Sequence, residues 1–534
     1  MQCNKCARRA NPGRHKTVIA LGCGFVLAAC ALLGARGGEA AGKVRLQLVD
    51  AATGNKIGGM IRIVPADSEV PIELPGLLDR LRGLKKSDAL RGWYVVPAAG
   101  GETMLPAGRY RAEALSGLES AVATHEFEVA GEQSDITINL EMIVHAAERG
   151  LVAGNTHLHL QGLNKQECED YLRQVPAADG ICVMFISYLE RAEIDKAYIT
   201  NRYPIGDLRE FAAKGVLFNN GEEHRHNFEA WGQGYGHVMF LDIKELVKPV
   251  SLGPGITTAG DDDRPLRPGI DEAHRQGGTI IWCHNTLGHE GIPTALAGRL
   301  HALNVFDGAR LGKYEDKYYR FLNVGLRLPI STGTDWFIYD FSRVYAHVEG
   351  KLDVRSWLAA LKAGRNQATN GPLLSLTVDG RDIGATLKLE KPKKVRTVAE
   401  GVGRQDFQRL QIVQNGRVIA VETARKSGSR FQARVERDIS LDGPAWFAAR
   451  IESDTKNELA QQLFAHTSPV YVDLGGQGVF DLESARSLLK QMEEGRDDIR
   501  ARGKFSSAVA KDRMLATYDD AIRGLTEQIA RRSR

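Results

Sequence analysis

The stretch Gly154-Asn155-Thr156-His157-Leu158-His159-Leu160 places two histidines one residue apart, behind the apolar run Leu151-Val152-Ala153 and ahead of Gln161-Gly162. On an extended strand, alternation turns His157 and His159 to the same side, so both imidazoles can reach one cation. Alone, such a pair is more often an ordinary surface or core feature than a ligand pair. Its surroundings give it weight. Eight of the fourteen histidines fall between His157 and His289, the sharpest composition shift in the chain.

Around this stretch, residues 146–371 alternate apolar strand-like runs with helical segments, which argues an α/β domain. Candidate strands cover 151–160, 180–186, 215–218, 237–241, 278–283 and 328–331. Several are followed by metal-type side chains. Val216-Leu217-Phe218 leads into Asn219-Asn220-Gly221-Glu222-Glu223-His224, and Trp282-Cys283 into His284-Asn285. Pro329-Ile330-Ser331 leads into Thr332-Gly333-Thr334-Asp335-Trp336, whereas His237 opens its own strand. In a parallel barrel the strand C-termini share one face, where catalytic groups collect. Imidazole and carboxylate together select zinc, manganese or iron. Each piece also has a plain explanation: a solvated loop, a strand-end cap, or, for Asp335, a helix N-cap. The metal reading rests on their coincidence.

The same order resembles a family. Thr156-His157-Leu158-His159, Gly221-Glu222-Glu223, Gly236-His237-Val238, Cys283-His284-Asn285 and Gly333-Thr334-Asp335 are similar to the motifs of PHP (polymerase and histidinol phosphatase) metallohydrolases. Arg343-Val344-Tyr345, residues 357–365 and Thr369-Asn370-Gly371-Pro372-Leu373-Leu374 resemble the CehA/McbA, or carbaryl-hydrolase-like, branch. The resemblance covers roughly residues 146–380. It implies a distorted (β/α)7 barrel, with His157, His159, Glu223, His237, His284 and Asp335 as metal ligands and one or two divalent ions (zinc, manganese or iron) as cofactor. Glu222 is the neighbour with which Glu223 is most easily confused. Two family features are missing: Val183-Met184-Phe185-Ile186-Ser187-Tyr188 lacks the usual Thr-Asp-His, and Asp335-Trp336-Phe337 lacks a closing histidine.

The implied activity is hydrolysis of a phosphoester, carbamate or carboxylester bond in a small-molecule substrate. A divalent ion lowers the pKa of bound water from 15.7 to about 7, giving hydroxide at neutral pH. His224 or His289 is placed to protonate the leaving group, and Arg191 or Arg343 to orient an anion. The alternative is an exported binding or surface protein with a degenerate or structural metal site.

The flanking regions are of other kinds. Residues 1–40 combine a basic start (Lys5, Arg8, Arg9, Arg14, Lys16) with an apolar run from Thr17 to Ala35, which reads as an export signal. Leu27-Ala28-Ala29-Cys30 fits a lipobox, which would anchor the chain to a membrane through Cys30, and Gly38-Glu39-Ala40 fits ordinary cleavage. An uncleaved anchor is the third option. All three put the body outside the cytoplasm, periplasmic or extracellular. The leader's six Lys/Arg and one Glu leave residues 41–534 at −1 out of a chain total of +4, so nucleic acid is not an expected partner. Of the seven cysteines only Cys168, Cys182 and Cys283 lie in the body, offering at most one bridge, Cys168–Cys182. Residues 43–145 alternate as a β-sandwich of the carboxypeptidase-regulatory or transthyretin-like kind. Residues 372–475 read as an immunoglobulin-like sandwich. Within residues 476–534, Leu515, Tyr518, Ile522, Leu525 and Ile529 form one helical stripe, and a break near Gly503 makes a hairpin.

Overall fold

The computed structural model describes residues 41–84, 88–190, 199–203, 205, 208, 215–228, 234–256, 260–286, 288–307, 314 and 317–533. The export signal with Cys30, and Arg191, lie outside the described residues. Residues 41–534 form one compact unit of mixed α/β character.

At the N-terminal end, alternating strands build two sheets around a shared core. Gly42–Asp50 pairs with Gly101–Leu105 and Gln133–Leu140, while Gly59–Pro65 pairs with Tyr94–Val96 and Gly108–Leu115. Val44, Leu46 and Leu48 of one sheet meet Ile61, Ile63 and Ala112 of the other, every second residue turning inward. Arg80 leaves this region to pair with Asp179 beyond the Lys165–Ala178 helix, Nη1 to Oδ1 2.5 Å, with both side chains fully buried.

The central sheet runs in the order Ile330–Ser331, Ala302–Asn304, Thr279–Trp282, Gly236–Leu241, Leu217–His226, Val183–Tyr188, Leu151–Asn155, Arg343–His347 and Asn366–Thr369. It continues through Ala465–Thr467 and Ala445–Glu452 to Arg409–Gln414 and Arg417–Thr423, so C-terminal strands extend the same sheet. This corrects the expectation of a distorted (β/α)7 barrel, because the described strands do not close into one. The sheet is open and mixed: Gly236–Leu241 runs antiparallel to both its neighbours, and Arg343–His347 antiparallel to Leu151–Asn155. The physical reason is the connection. Only a short segment separates His226 from Gly236, too little for the crossover that a parallel neighbour requires. A separate two-stranded ladder, Leu158↔Asp335 and His159↔Trp336, joins the chain just past the Leu151–Asn155 strand to the chain just past Ile330–Ser331.

The helices Leu482–Arg502 and Ala508–Arg532 close the chain. Leu488, Met492, Ile499, Leu515, Tyr518 and Leu525 enter the core that also holds Trp282, Ile270 and Ile292, so this hairpin packs on the central sheet's layer. Cys168 and Cys182 are free thiols.

Candidate metal centre

His157 and His159 project from the end of the first central strand, and alternation brings them together, Nε2 to Nε2 3.0 Å. Their other ring nitrogens are already committed. His159 Nδ1 donates to the Ser187 carbonyl (3.0 Å), and His157 Nδ1 pairs with Asp307 Oδ2 (2.7 Å). Partners of this kind fix a ligand's tautomer and aim its free nitrogen. The two Nε2 atoms face Glu223: its Oε2 lies 3.1 Å from His159 Nε2 and 3.9 Å from His157 Nε2. Asp335 Oδ1 approaches the same two nitrogens at 3.7 and 3.8 Å.

Glu223 also has an opposite side. Its Oε1 is 3.1 Å from His237 Nδ1 and 3.7 Å from His284 Nε2. His237 Nε2 is paired with Asn227 Oδ1 (3.1 Å), and His284 Nδ1 with Asp307 Oδ1. His237 Nδ1 is buried and, among the described residues, makes no hydrogen bond of good geometry despite its closeness to the carboxylate. Of the six residues named from the sequence, four histidines thus meet the carboxylate of Glu223, and Asp335 lies beside two of them. Their donor atoms fall into two sets of metal-binding size, His157–His159–Glu223 and Glu223–His237–His284, sharing Glu223. A third set, His157–Cys283–Asp307, adjoins them.

Strand register explains the selection. Glu223 and Arg225 alternate onto one face of Leu217–His226, and Arg225 stands opposite His237 across the antiparallel ladder. Glu222 and His224 alternate onto the other face. There they pair with each other (2.9 Å), Glu222 accepts the Val247 amide (2.7 Å), and His224 stacks on Phe240. Gly333 lets the 332–335 segment cross over His157, because a Cβ there would sit 2.5 Å from that residue's own Cβ. The Thr334 and Asp335 amides then donate to the His157 carbonyl. Asp335 and His284 both adopt left-handed backbone (φ 64° and 54°), conformations that cost energy in non-glycine residues and cluster at functional sites.

The cluster calls for positive charge. Burial would lower the His157 and His284 pKa values. Cys283, Asp307 and Asp335 nevertheless hold His157 well above its ordinary value, and Asp307, then Glu223 and Asp335, push His284 up to about 9. Against burial, Arg225 and the surrounding imidazoles hold the Glu223 carboxyl well below the usual range. His237 goes the other way, pushed down to about 3 by burial and by Arg225. His157 and His159 are fully buried, whereas side-chain exposure rises to 11% at Arg225 and 16% at Asp335, so the centre opens on that side.

Three other residues given catalytic roles from the sequence are held elsewhere. His224 faces away with Glu222. His289 pairs with Asp498 of the C-terminal hairpin, Nε2 to Oδ2 2.7 Å. Arg343 is fully buried, donating to the carbonyls of Phe341 and Asp179. Conversely, Asp307 and Arg225 belong to the centre and were missed. Asp307 follows the short strand Ala302–Asn304, so it carries the same strand-end signal as the others. Arg225 lies two residues beyond Glu223, on the same face.

No family model, curated protein or solved structure matches this chain.

Proposed function

We propose that this protein is an exported, metal-dependent hydrolase of the PHP type, its centre built at one end of an open, mixed sheet. The observation that carries this reading is the meeting of His157 Nε2, His159 Nε2 and Glu223 Oε2 within 3.9 Å of one another, with His159's other nitrogen spent on a carbonyl. Acceptor atoms so arranged need positive charge among them, which a bound cation supplies or, without it, an imidazole proton. The donor set fits a borderline divalent ion such as zinc, manganese or iron. His157, His159, Glu223 and Asp335 would hold one ion; Glu223, His237 and His284 would hold a second.

Such an ion supplies acidified water and polarises the bond under attack. The chain supplies the rest. Asp307 fixes the rings of His157 and His284, and Asn227 fixes His237. Trp336, whose ring lies 4.8 Å from that of His159, walls one side. Arg225 stands at the exposed edge as a cationic group for an anionic portion of the substrate. A phosphoester, carbamate or carboxylester is the substrate class, and the leader sequence supports a location outside the cytoplasm.

The test is turnover of aryl phosphate, carbamate and ester panels by protein reconstituted with each metal, beside Glu223→Ala. Hydrolysis lost in the variant supports the proposal. Absence of turnover by the fully loaded wild type on every panel rejects it.

A further inference from the structure

Two imidazole–carboxylate pairs outside the centre, one buried and one partly exposed, link the C-terminal hairpin to the segment that presents His237. The first involves His226, which ends the Leu217–His226 strand. Its Nε2 pairs with Asp262 Oδ1 (2.8 Å), and its Nδ1 accepts the Tyr235 amide (3.1 Å), two residues before His237. The Tyr235 ring stacks on His226 at 3.8 Å, and its hydroxyl donates to the Asp262 carbonyl. Asp262 in turn grips the turn of the hairpin: its Oδ2 accepts the Lys504 amide (2.5 Å), and its own amide donates to the Lys504 carbonyl (2.9 Å).

The second pair is His289–Asp498. The His289 amide donates to the Gly234 carbonyl, and the Glu290 amide to the Tyr235 carbonyl, so this loop grips residues 234–235 from the other side. Room for the His289 ring depends on Gly495 of the Leu482–Arg502 helix, where a Cβ would lie 3.0 Å from His289 Nδ1. Gly236 and Gly288 meet backbone to backbone, at a distance no side chain would allow. Residues 234–236 are therefore held between two imidazoles, each tied to the hairpin. Asn227, which orients His237, directly follows His226.

The structure assigns the C-terminal hairpin a positioning role: through Asp262–Lys504 and Asp498 it holds His237 in place for the Glu223–His237–His284 half of the centre. This rests on the proposal above that the centre binds metal. The His157–His159 half draws its orienting bonds from Ser187 and Asp307, neither of which touches these two pairs. The hairpin's influence should therefore fall on one ion and spare the other.

The experiment is stepwise binding of zinc to metal-free, full-length protein, followed by calorimetry and by metal analysis. It compares wild type, Asp498→Asn, Asp262→Asn/Asp498→Asn, and the control Asp519→Ala, which breaks the Arg496–Asp519 pair between the two helices. We expect wild type and control to bind two equivalents. The variants should keep the first affinity while the second weakens on the order of 10–100-fold, the usual loss on removing an orienting partner. Asp498→Asn, altering a partly exposed pair, keeps the test usable should the double variant fail to fold. An unchanged second affinity overturns the inference, as do equal weakening of both steps and a wild type that binds only one equivalent. A wild type that binds no metal instead defeats the parent proposal.

Discussion

Asp307 shows how one residue can govern several ligands. Its two oxygens take the Nδ1 atoms of His157 and His284, and Asn304 Nδ2 adds a third bond at 3.0 Å. Asp307→Asn replaces one acceptor oxygen with a donor, so one imidazole must turn or change tautomer. Zinc affinity should fall roughly 10–100-fold in both halves of the centre, measurable by competition with a chromogenic chelator. A second residue-scale prediction concerns pH. In chelated protein the His284 pKa rises to about 9 from an ordinary 6.5. A folded pKa above the unfolded one stabilises fully below the unfolded value and ceases to do so as pH passes the folded value. The stability that chelated wild type holds over His284→Gln should thus be largest below pH 6.5 and fade towards pH 9. Urea midpoints diverging in the opposite direction would refute this.

Among the elements, alternation was the legible part of the sequence and pairing direction was not. The shared side of His157 and His159 follows from the period of a strand, and their rings do meet. The choice between Glu222 and Glu223 needed the face of the Leu217–His226 strand, and only its partners fix that face. His224 looked equally suited to catalysis, yet it belongs with Glu222. Likewise, an apolar run announces a strand without saying whether its neighbour runs parallel, so the antiparallel Gly236–Leu241 strand had no signature. In that orientation His237, although second in its strand, arrives at the same end as Glu223 and Arg225. His224→Gln should accordingly leave metal content unchanged and cost about 1–3 kcal/mol by depriving buried Glu222 of its imidazole. A drop in bound metal comparable to that of a ligand variant would contradict this assignment.

Across the molecule, the contacts that unite the regions join residues far apart in sequence, which is why no local pattern revealed them. Arg80 reaches from the N-terminal sheets to Asp179, whose carbonyl also accepts from Arg343. That explains Arg343 as a member of a buried junction rather than an anion-binding group. Arg80→Ala leaves the Asp179 carboxylate buried without its partner and should cost about 3–5 kcal/mol in chemical denaturation, while sparing the ligand distances. The central claim remains that the six convergent side chains hold metal. It is tested most directly by metal content per chain, from plasma mass spectrometry of protein purified without chelator, beside His157→Ala/His159→Ala. One or two equivalents of zinc, manganese or iron are expected in the wild type, with the double variant losing at least the ion that His157 and His159 would hold. Metal absent from both proteins even after reconstitution, or equally present in both, would contradict it.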